Sequence, residues 1–351
     1  MTDTCQFADN MSTSKVLIVG AGLTGSLTAA LLRRQCQSID LTVWEKSRGA
    51  GGRMTTARSP DGCSGRADTG AQYISAKPQY FTDHNSFYKE LLATSTLVPF
   101  TGVIDGEVKQ DGVKHFVAPN GTSAIAKYFL QQSGAKVCYQ THCTDITANS
   151  TKLKCTDMEG KQSVFDSVIV TIPVPQILGL TGTIHDLAQA KRELFDDVKY
   201  SSRYALALFY APGIKGVDFP WTAKYVTGDE CIRFACVDSK KRQQDSSVSG
   251  TSIVLHSSVP FGIKHLESDR QEVENIMLKH TFELFPNLPK PTATKCQKWR
   301  YSQVSQSVKG MPGSQVLMTS PLLVVGGDAF THSNFDGCVD SAMSIVRNFT
   351  K

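Results

Sequence analysis

Gly20, Gly22 and Gly25 stand in the spacing G-x-G-x-x-G, directly after the apolar run from Lys15 to Val19. In that arrangement the first glycine permits a tight turn and the second lets backbone approach a pyrophosphate. The third lets the following helix pack closely on the strand. The pyrophosphate then lies at a helix N-terminus, where free N–H groups and the dipole favour negative charge, and Thr24 adds a hydroxyl donor there. Glu45 follows the apolar stretch Leu41 to Trp44, 20 residues past Gly25. A carboxylate at that distance accepts hydrogen bonds from ribose hydroxyls. Strand, turn, helix, strand and distal acid together predict a dinucleotide site.

A second group of residues narrows the choice of dinucleotide. Six residues beyond Glu45 begins Gly51-Gly52-Arg53, followed by Met54-Thr55-Thr56. A nicotinamide dehydrogenase has no use for another glycine pair with an arginine here. A flavoprotein that buries FAD does, because the chain must stay close to the cofactor while an arginine reaches back to its phosphates, a task suited to the planar guanidinium fork. FAD is therefore the expected cofactor, held in part by Gly52 and Arg53.

Farther along, Ala67 to Ile74 (ADTGAQYI) reads as a turn entering a strand that runs under the isoalloxazine ring, carrying Gln72 and Tyr73. Near the C-terminus Pro321 to Asp328 (PLLVVGGD) is an apolar strand ending in Gly326-Gly327-Asp328. Its end position sets the Asp328 carboxylate against ribityl or ribose hydroxyls. Asn334-Phe335-Asp336-Gly337 then leads into a final helix expected from Cys338 to Phe349. The N-terminus of that helix would face the flavin pyrimidine ring, where negative charge gathers on reduction, which brings Asp336 and Gly337 into the expected site. The first and last segments would share one cofactor, so the FAD-binding domain is discontinuous in sequence.

The elements needed to position these groups are legible along the chain. Ser123 to Ser133 has helical character, ended by Gly134, and Asp166 to Thr171 is a buried strand halted by Pro173 and Pro175. Arg203 to Tyr210, Cys231 to Val237 and Thr251 to Val259 are strand-like runs whose turn-rich connectors suggest an antiparallel sheet. Ser268 opens a helix with a capping box to Gln271. On that helix His280 shares an apolar stripe with Val273, Ile276, Met277 and Leu284, which makes it a packed histidine. The expected fold class is α/β: a Rossmann-like FAD-binding domain with a second α+β substrate domain on an antiparallel sheet. The expected division is a polar extension over 1–14, the FAD domain over 15–80, 115–174 and 300–351, and the substrate domain over 81–114 and 175–299.

Composition is consistent with this. In 351 residues, 40% hydrophobic and 20% charged, there is ample core and no disorder signature. Thirty-seven basic against 32 acidic residues give +5, a mild bias that suits a small anionic ligand better than nucleic acid. The longest basic run, Lys240-Lys241-Arg242, reads as a solvated loop. Ten irregularly spaced cysteines with no C-x-x-C pair predict neither zinc nor disulfide scaffold, and no metal is expected. Between Lys15 and Arg33 the chain has 17 uncharged residues, but three glycines within six positions make a poor membrane helix. The expectation is a soluble, intracellular protein with no membrane and no nucleic-acid partner.

VLIVGAGLTGSLTAALLRRQ, GGRMTT, GAQYI, TIPVPQIL, SSRYALALFY, KCQKWR and GGDAFTHSNFDGC together resemble the renalase family, one of the flavoproteins of p-hydroxybenzoate-hydroxylase fold related to monoamine oxidases. The resemblance runs from about Lys15 to the C-terminus; GGRMTT is shared with many amine-oxidase-like flavoproteins, the later motifs are more specific. It implies a noncovalent FAD enzyme that oxidises the 2- and 6-dihydro isomers of NAD(P), passing hydride to flavin N5 and reducing O2 to hydrogen peroxide. It also implies FAD contacts at Thr24, Arg53, Gln72 and Tyr73. The ten residues before Met11 depart from the family pattern and leave the start at Met1 or Met11 open. The resemblance further implies secretion and a signalling role at a cell-surface receptor, against the intracellular reading.

Hydride transfer from a dihydropyridine needs no general base, since the ring nitrogen supplies the electron push. It needs the donor carbon held against the flavin with water excluded. No catalytic triad is expected, and none is legible. Tyr73 and Trp299 are the candidate rings near the flavin, and Arg203 or Arg233 the candidates for the substrate pyrophosphate. Two other functions compete. A flavin amine oxidase would want an aromatic cage, for which Tyr204, Phe209, Trp221 and Trp299 are available. A secreted binding protein with structural FAD would present the basic loop Val237 to Asp245.

Overall fold

The computed structural model describes residues 13–62 and 65–349, so the expected extension over 1–14 and the choice between Met1 and Met11 fall almost wholly outside the described residues. Two six-stranded sheets organise the molecule. In the first, the strand order is Ser314–Thr319, Leu322–Gly326, Ser167–Val170, Ser14–Val19, Ile39–Glu45 and Lys136–Tyr139. All neighbours are parallel except the edge pair Ser314–Thr319 and Leu322–Gly326.

Residues 16–19 of this strand are covered on both faces, which is why Val16-Leu17-Ile18-Val19 is a continuous apolar run and not an alternation. Leu17 and Val19 enter one core with Trp44, Val168, Val170, Leu323 and Val325. Val16 and Ile18 enter the other with Leu41, Val43, Ile169 and Val324. The helices Leu23–Gln35, Ser123–Ser133 and Phe335–Arg347 pack together on this sheet. Strand order reverses at Ser14–Val19, which has strand 39–45 on one side and 167–170 on the other, and the crevice beyond such a switch point is where ligands bind in open α/β sheets.

The second sheet runs Ala293–Trp299, Arg203–Tyr210, Thr251–Ser257, Ile232–Val237, Ala223–Tyr225, Ile104–Asp105, antiparallel but for the last pair. Along Arg203–Tyr210, the side chains of Tyr204, Leu206, Leu208 and Tyr210 face a core shared with Val273 and Met277 of the helix Arg270–Leu284. Ala207 and Phe209 face the other way, with Val254 and Ala67. Each large aliphatic or aromatic side chain fully buried here contributes about 1.5–3 kcal/mol. On Ile232–Val237 the pairing shifts register between Ile232 and Phe234. The extra residue is Arg233, and the shift lets Ile232 join the helix-side core while Phe234 and Cys236 turn to the opposite face. A bulge of this kind re-aims side chains next to a site.

Several expectations are corrected. Lys240-Lys241-Arg242 is no solvated loop: Lys241 and Arg242 are buried at 2% and 3% exposure, and only Lys240 is exposed. The helix 270–284 is capped by Asp269, which accepts from Gln271 N (2.8 Å) and Glu272 N (3.2 Å), instead of by Ser268. The final helix starts at Phe335 rather than Cys338, because Asn334 caps it by accepting from Gly337 N at 2.7 Å. The segment expected in the substrate domain over 81–114 divides: Phe87, Tyr88 and Leu91 pack with Leu23, Leu27 and Val339 of the first sheet's helices, whereas Ile104–Asp105 joins the second sheet. Among the described residues no helix is long and apolar enough to cross a membrane.

Candidate active site and cofactor cleft

The glycine-rich turn is built by close backbone approach. A Cβ on Gly25 would stand 2.1 Å from the Gly20 carbonyl oxygen, so only glycine lets the first helix sit this near the strand. Gly52 has φ +54°, a left-handed conformation that favours glycine, and a Cβ there would meet Gly22 Cα at 3.3 Å. Gly51 N donates to the Ala21 carbonyl (2.9 Å), lacing the two glycine segments together. Glu45 is buried at their edge, Oε2 accepting from Ala21 N (2.9 Å) and Oε1 from Ser47 N (2.8 Å).

These segments open onto one cavity of about 1940 Å³. That exceeds the roughly 300–1,000 Å³ of a site for a single small ligand and leaves room for a dinucleotide cofactor beside a substrate. Gly20, Gly22, Thr24, Glu45, Gly52, Arg53, Gln72, Tyr73, Gly327 and Asp328 all line it. Arg53 and Asp328, 275 residues apart, meet as a fork: Nη1 to Oδ2 at 2.7 Å and Nη2 to Oδ1 at 2.6 Å. Burial works against the Arg53 charge, but the facing Asp328 carboxylate outweighs it and raises the guanidinium pKa. The sequence offered them as separate cofactor contacts; the structure makes them one unit on the cavity wall.

Three expected cofactor residues are placed elsewhere. Gly25 lies behind the wall in the helix–strand contact. The Asp336 carboxylate points away from the cavity, pairing with His84 Nδ1 (2.8 Å) and accepting from Tyr88 (3.1 Å), because burial at a helix start leaves it needing donors and these two supply them. A Cβ on Gly337 would lie 1.9 Å from the His332 carbonyl oxygen, so that glycine serves loop packing. Ser333, Asn334 and Phe335 present the start of this helix to the cavity instead.

At the end of the cavity formed by the second sheet, Trp299, Tyr73, Tyr225, Phe234, His256 and Arg203 gather. Trp299 Nε1 donates to the Thr69 carbonyl (2.7 Å), and the Tyr73 and Tyr225 hydroxyls are hydrogen-bonded at 2.6 Å. Of the aromatic-cage candidates only Trp299 is here; Tyr204 and Trp221 belong to the helix-side core and Phe209 to a third cluster. Arg203 and Arg233 also face this end. Burial, then the neighbouring Arg233 charge, lowers the Arg203 pKa, and its Nε is buried with no hydrogen-bond partner. Arg233 donates to the Val226 carbonyl (2.7 Å) and lies 6.0 Å from the Tyr225 ring centroid. His256 was missed by sequence reasoning; its signal is the alternation of the strand Thr251–Ser257, which sends it to the cavity face. Burial and the charges of Arg203 and Lys241 push its pKa down to about 3, so it stays neutral.

Beneath this wall lies a buried ionic group. Lys241 Nζ contacts Asp68 Oδ2 (2.8 Å) and Asp238 Oδ1 (2.7 Å), and Arg242 holds Asp238 Oδ2 at 2.5 Å. Lys241 also reaches Gln72 Oε1 (3.4 Å), whose amide nitrogen contacts His256 Nε2 (3.3 Å). The basic run thus supports the cavity wall, and the loop 237–245 loses the two cations that would have met a partner. His280, as a half-buried residue bonded to Asp229 (2.8 Å), keeps a packing position remote from the cavity.

Residues 88–348 match the family of flavin containing amine oxidoreductases, and residues 18–91 the NAD(P)-binding Rossmann-like domain. Renalase of Mus musculus is 46% identical over 336 residues, spanning 95% of this chain and 98% of that protein. The chain belongs to the renalase family of flavin-containing amine oxidoreductases. FAD is its cofactor. Among solved structures, a putative protoporphyrinogen oxidase from Exiguobacterium sp. 255-15 superposes with TM-score 0.72 at 12% identity, covering 97% of this chain and 100% of that one. A Pyrococcus furiosus protein superposes with TM-score 0.59 at 15% identity, over 96% and 97%. At such identities these two share the fold, and for a renalase-family chain that fold is the two-sheet flavoprotein architecture described above.

Proposed function

We propose that this flavin oxidoreductase oxidises the 2- and 6-dihydro isomers of NAD(P) to NAD(P)+, with O2 as terminal acceptor. The balance is one dihydronicotinamide, one O2 and one proton giving one oxidised nicotinamide and one hydrogen peroxide. FAD, when bound, supplies the hydride acceptor at N5 and the route by which two electrons reach O2. The observation that carries the reading is the charge of the far end of the cavity. Arg203 and Arg233 face it with no ion-pair partner among the described residues, while the acids on the cavity wall are already engaged: Glu45 by backbone, Glu107 by His115, Glu274 by Thr294, Asp328 by Arg53. A protonated amine would be repelled there, whereas an anionic dinucleotide is attracted.

The chain's own residues then have limited work to do. The turn Gly20–Gly22 with Thr24 would hold the FAD pyrophosphate, Glu45 a ribose, and Gly52, Arg53, Gln72, Tyr73, Gly327 and Asp328 the remainder. Trp299 and Tyr73 would bound the ring pocket and exclude water. Neutral His256 neither takes nor gives a proton in the neutral range, consistent with a reaction that needs no base. The carboxamide oxygen of the substrate ring would satisfy the unpartnered Arg203 Nε.

The test is the visible spectrum of the purified holoprotein, before and after anaerobic addition of 6-dihydro-NAD. Bleaching within the mixing time, with colour and peroxide appearing on admission of air, supports the reading. A flavin that stays oxidised with this substrate but bleaches with a catecholamine would replace it by amine oxidation.

A further inference from the structure

The cavity has a second unsatisfied cationic feature, at its mouth. Lys295 lies in the cavity-lining part of the edge strand Ala293–Trp299 and is half-buried. Arg270, at the start of the helix packed on that strand, and Arg48, on the connector after Glu45, are exposed beside it. All three line the cavity, and none has an ion-pair partner among the described residues. Their proximity is felt electrostatically: burial first, then the charges of Arg48 and Arg270, lowers the Lys295 pKa. Glu274, which also lines the cavity one helical turn from Arg270, accepts from Thr294 Oγ1 and makes no ion pair with these cations.

Three like charges converging without a counter-ion are costly unless something anionic joins them, since like-charge juxtaposition is unfavourable and focusing by cavity walls raises local anion concentration. Their place along the strand gives the anion a context. Residues 295, 297 and 299 share one face by the two-residue period of a strand, and Trp299 stands opposite Arg203 in the pairing. Four residues of antiparallel strand span about 14 Å, long enough to lay base, ribose and phosphates in sequence from the Trp299 end to Lys295.

We propose that Lys295, Arg270 and Arg48 form an anion subsite for the phosphates of the dinucleotide substrate, with the ring of that substrate at the Arg203 end. This rests on the proposed function for the identity of the substrate. The subsite favours dinucleotides over dihydronicotinamides without phosphate, and gains most from the extra 2′-phosphate of the NADP isomers. Lys295 and Arg270 lie outside the segments that would hold FAD, so their removal leaves flavin loading unchanged.

The experiment compares wild-type holoprotein with the Lys295→Met/Arg270→Met double variant on 6-dihydro-NADP, 6-dihydro-NAD and N-methyl-1,6-dihydronicotinamide. The expected result is a KM raised about 10-fold for the NADP isomer, equivalent to about 1.4 kcal/mol, a smaller rise for the NAD isomer, and no change with the phosphate-free substrate. Salt should weaken the wild type on dinucleotides more than the variant. An equal loss on all three substrates, or no loss on any, overturns the subsite. So does transfer of the phosphate effect to Lys127→Met, which removes a different cavity-lining cation. If the wild type oxidises none of the three, the functional reading has failed; NADP+ titrated against flavin absorbance then still tests the subsite, by a Kd that does or does not weaken in the double variant.

Discussion

Replacing Lys241 by Met tests whether the buried ionic group carries the cavity wall. The Lys241 side chain is fully buried, 2.8 Å from Asp68 and 2.7 Å from Asp238. Together with Arg242 the group holds two positive and two negative charges, and the substitution leaves one net negative charge in the interior. Asp238 keeps Arg242 at 2.5 Å. Among the described residues Asp68 keeps neutral donors, the Thr56 hydroxyl (2.6 Å) and Thr122 N (2.9 Å). Removing one partner of a buried pair costs about 3–5 kcal/mol, and the two remaining donors to Asp68 place the expectation near 3 kcal/mol. Against a total stability of about 5–15 kcal/mol this is a large fraction. The assay is urea unfolding of holoprotein at fixed excess FAD, because ligand concentration shifts apparent stability. The midpoint should fall by about 1 M or more for an m-value of about 1–3 kcal/mol/M. The double variant Asp68→Asn/Lys241→Met restores neutrality and should recover much of the loss. A Lys241→Met protein within about 0.5 kcal/mol of wild type would behave like a surface substitution and refute the reasoning.

Two further outcomes follow from the same geometry. Gly25→Ala places a Cβ 2.1 Å from the Gly20 carbonyl and 2.8 Å from Thr171 Oγ1, where backbone cannot yield, so the purified variant should carry little or no flavin by its visible-to-ultraviolet absorbance ratio; full loading would contradict the close-approach argument. The second concerns acid. His256, with a folded pKa of about 3 against about 6.5 unfolded, binds its proton first in the unfolded chain. Stability should therefore fall as pH drops from about 6.5 toward 3. His84 has the opposite sign: despite the opposing effect of burial, Asp336 and Asp340 raise its pKa. Its contribution is present below the unfolded value and lost as pH rises through the folded one. Urea midpoints at about pH 7 and about pH 5 should differ less in His256→Asn and more in His84→Asn than in wild type; the reverse ranking would overturn both assignments.

The legibility of this chain in its sequence followed the range of the interactions concerned. The strand Ser14–Val19, the glycine turn, the first helix and Glu45 are contiguous, and the glycines are demanded by local backbone geometry, so spacing alone marked them as the expected dinucleotide cradle, and folding sets Gly20, Gly22, Thr24 and Glu45 along one cavity. The same held for Gly51-Gly52-Arg53 and for the apolar strand before Asp328. The strand-like runs Arg203 to Tyr210, Cys231 to Val237 and Thr251 to Val259, with their turn-rich connectors, announced an antiparallel sheet because short connections join neighbouring strands.

Where a side chain's partner lies far along the chain, the sequence was silent or misleading. Lys240-Lys241-Arg242 has the composition of a surface loop; the nearby Asp238 is shared by Lys241 and Arg242, and the second anion that balances the two buried cations, Asp68, arrives from 173 residues away. Asp336 sits beside the expected helix start, yet His84 and Tyr88 draw its carboxylate away from the cavity. Arg53 and Asp328 each read as a cofactor contact, and their fork appears only when the two segments are brought together. Sequence by itself determined the cofactor class and the two-sheet architecture and marked a set of residues that folding brings to one cavity, because backbone conformation and periodicity are local. Tertiary structure alone decided which charges are neutralised and which, at Arg203 and Lys295, are left facing an open cavity, because charge balance in an interior is set by residues that meet only on folding.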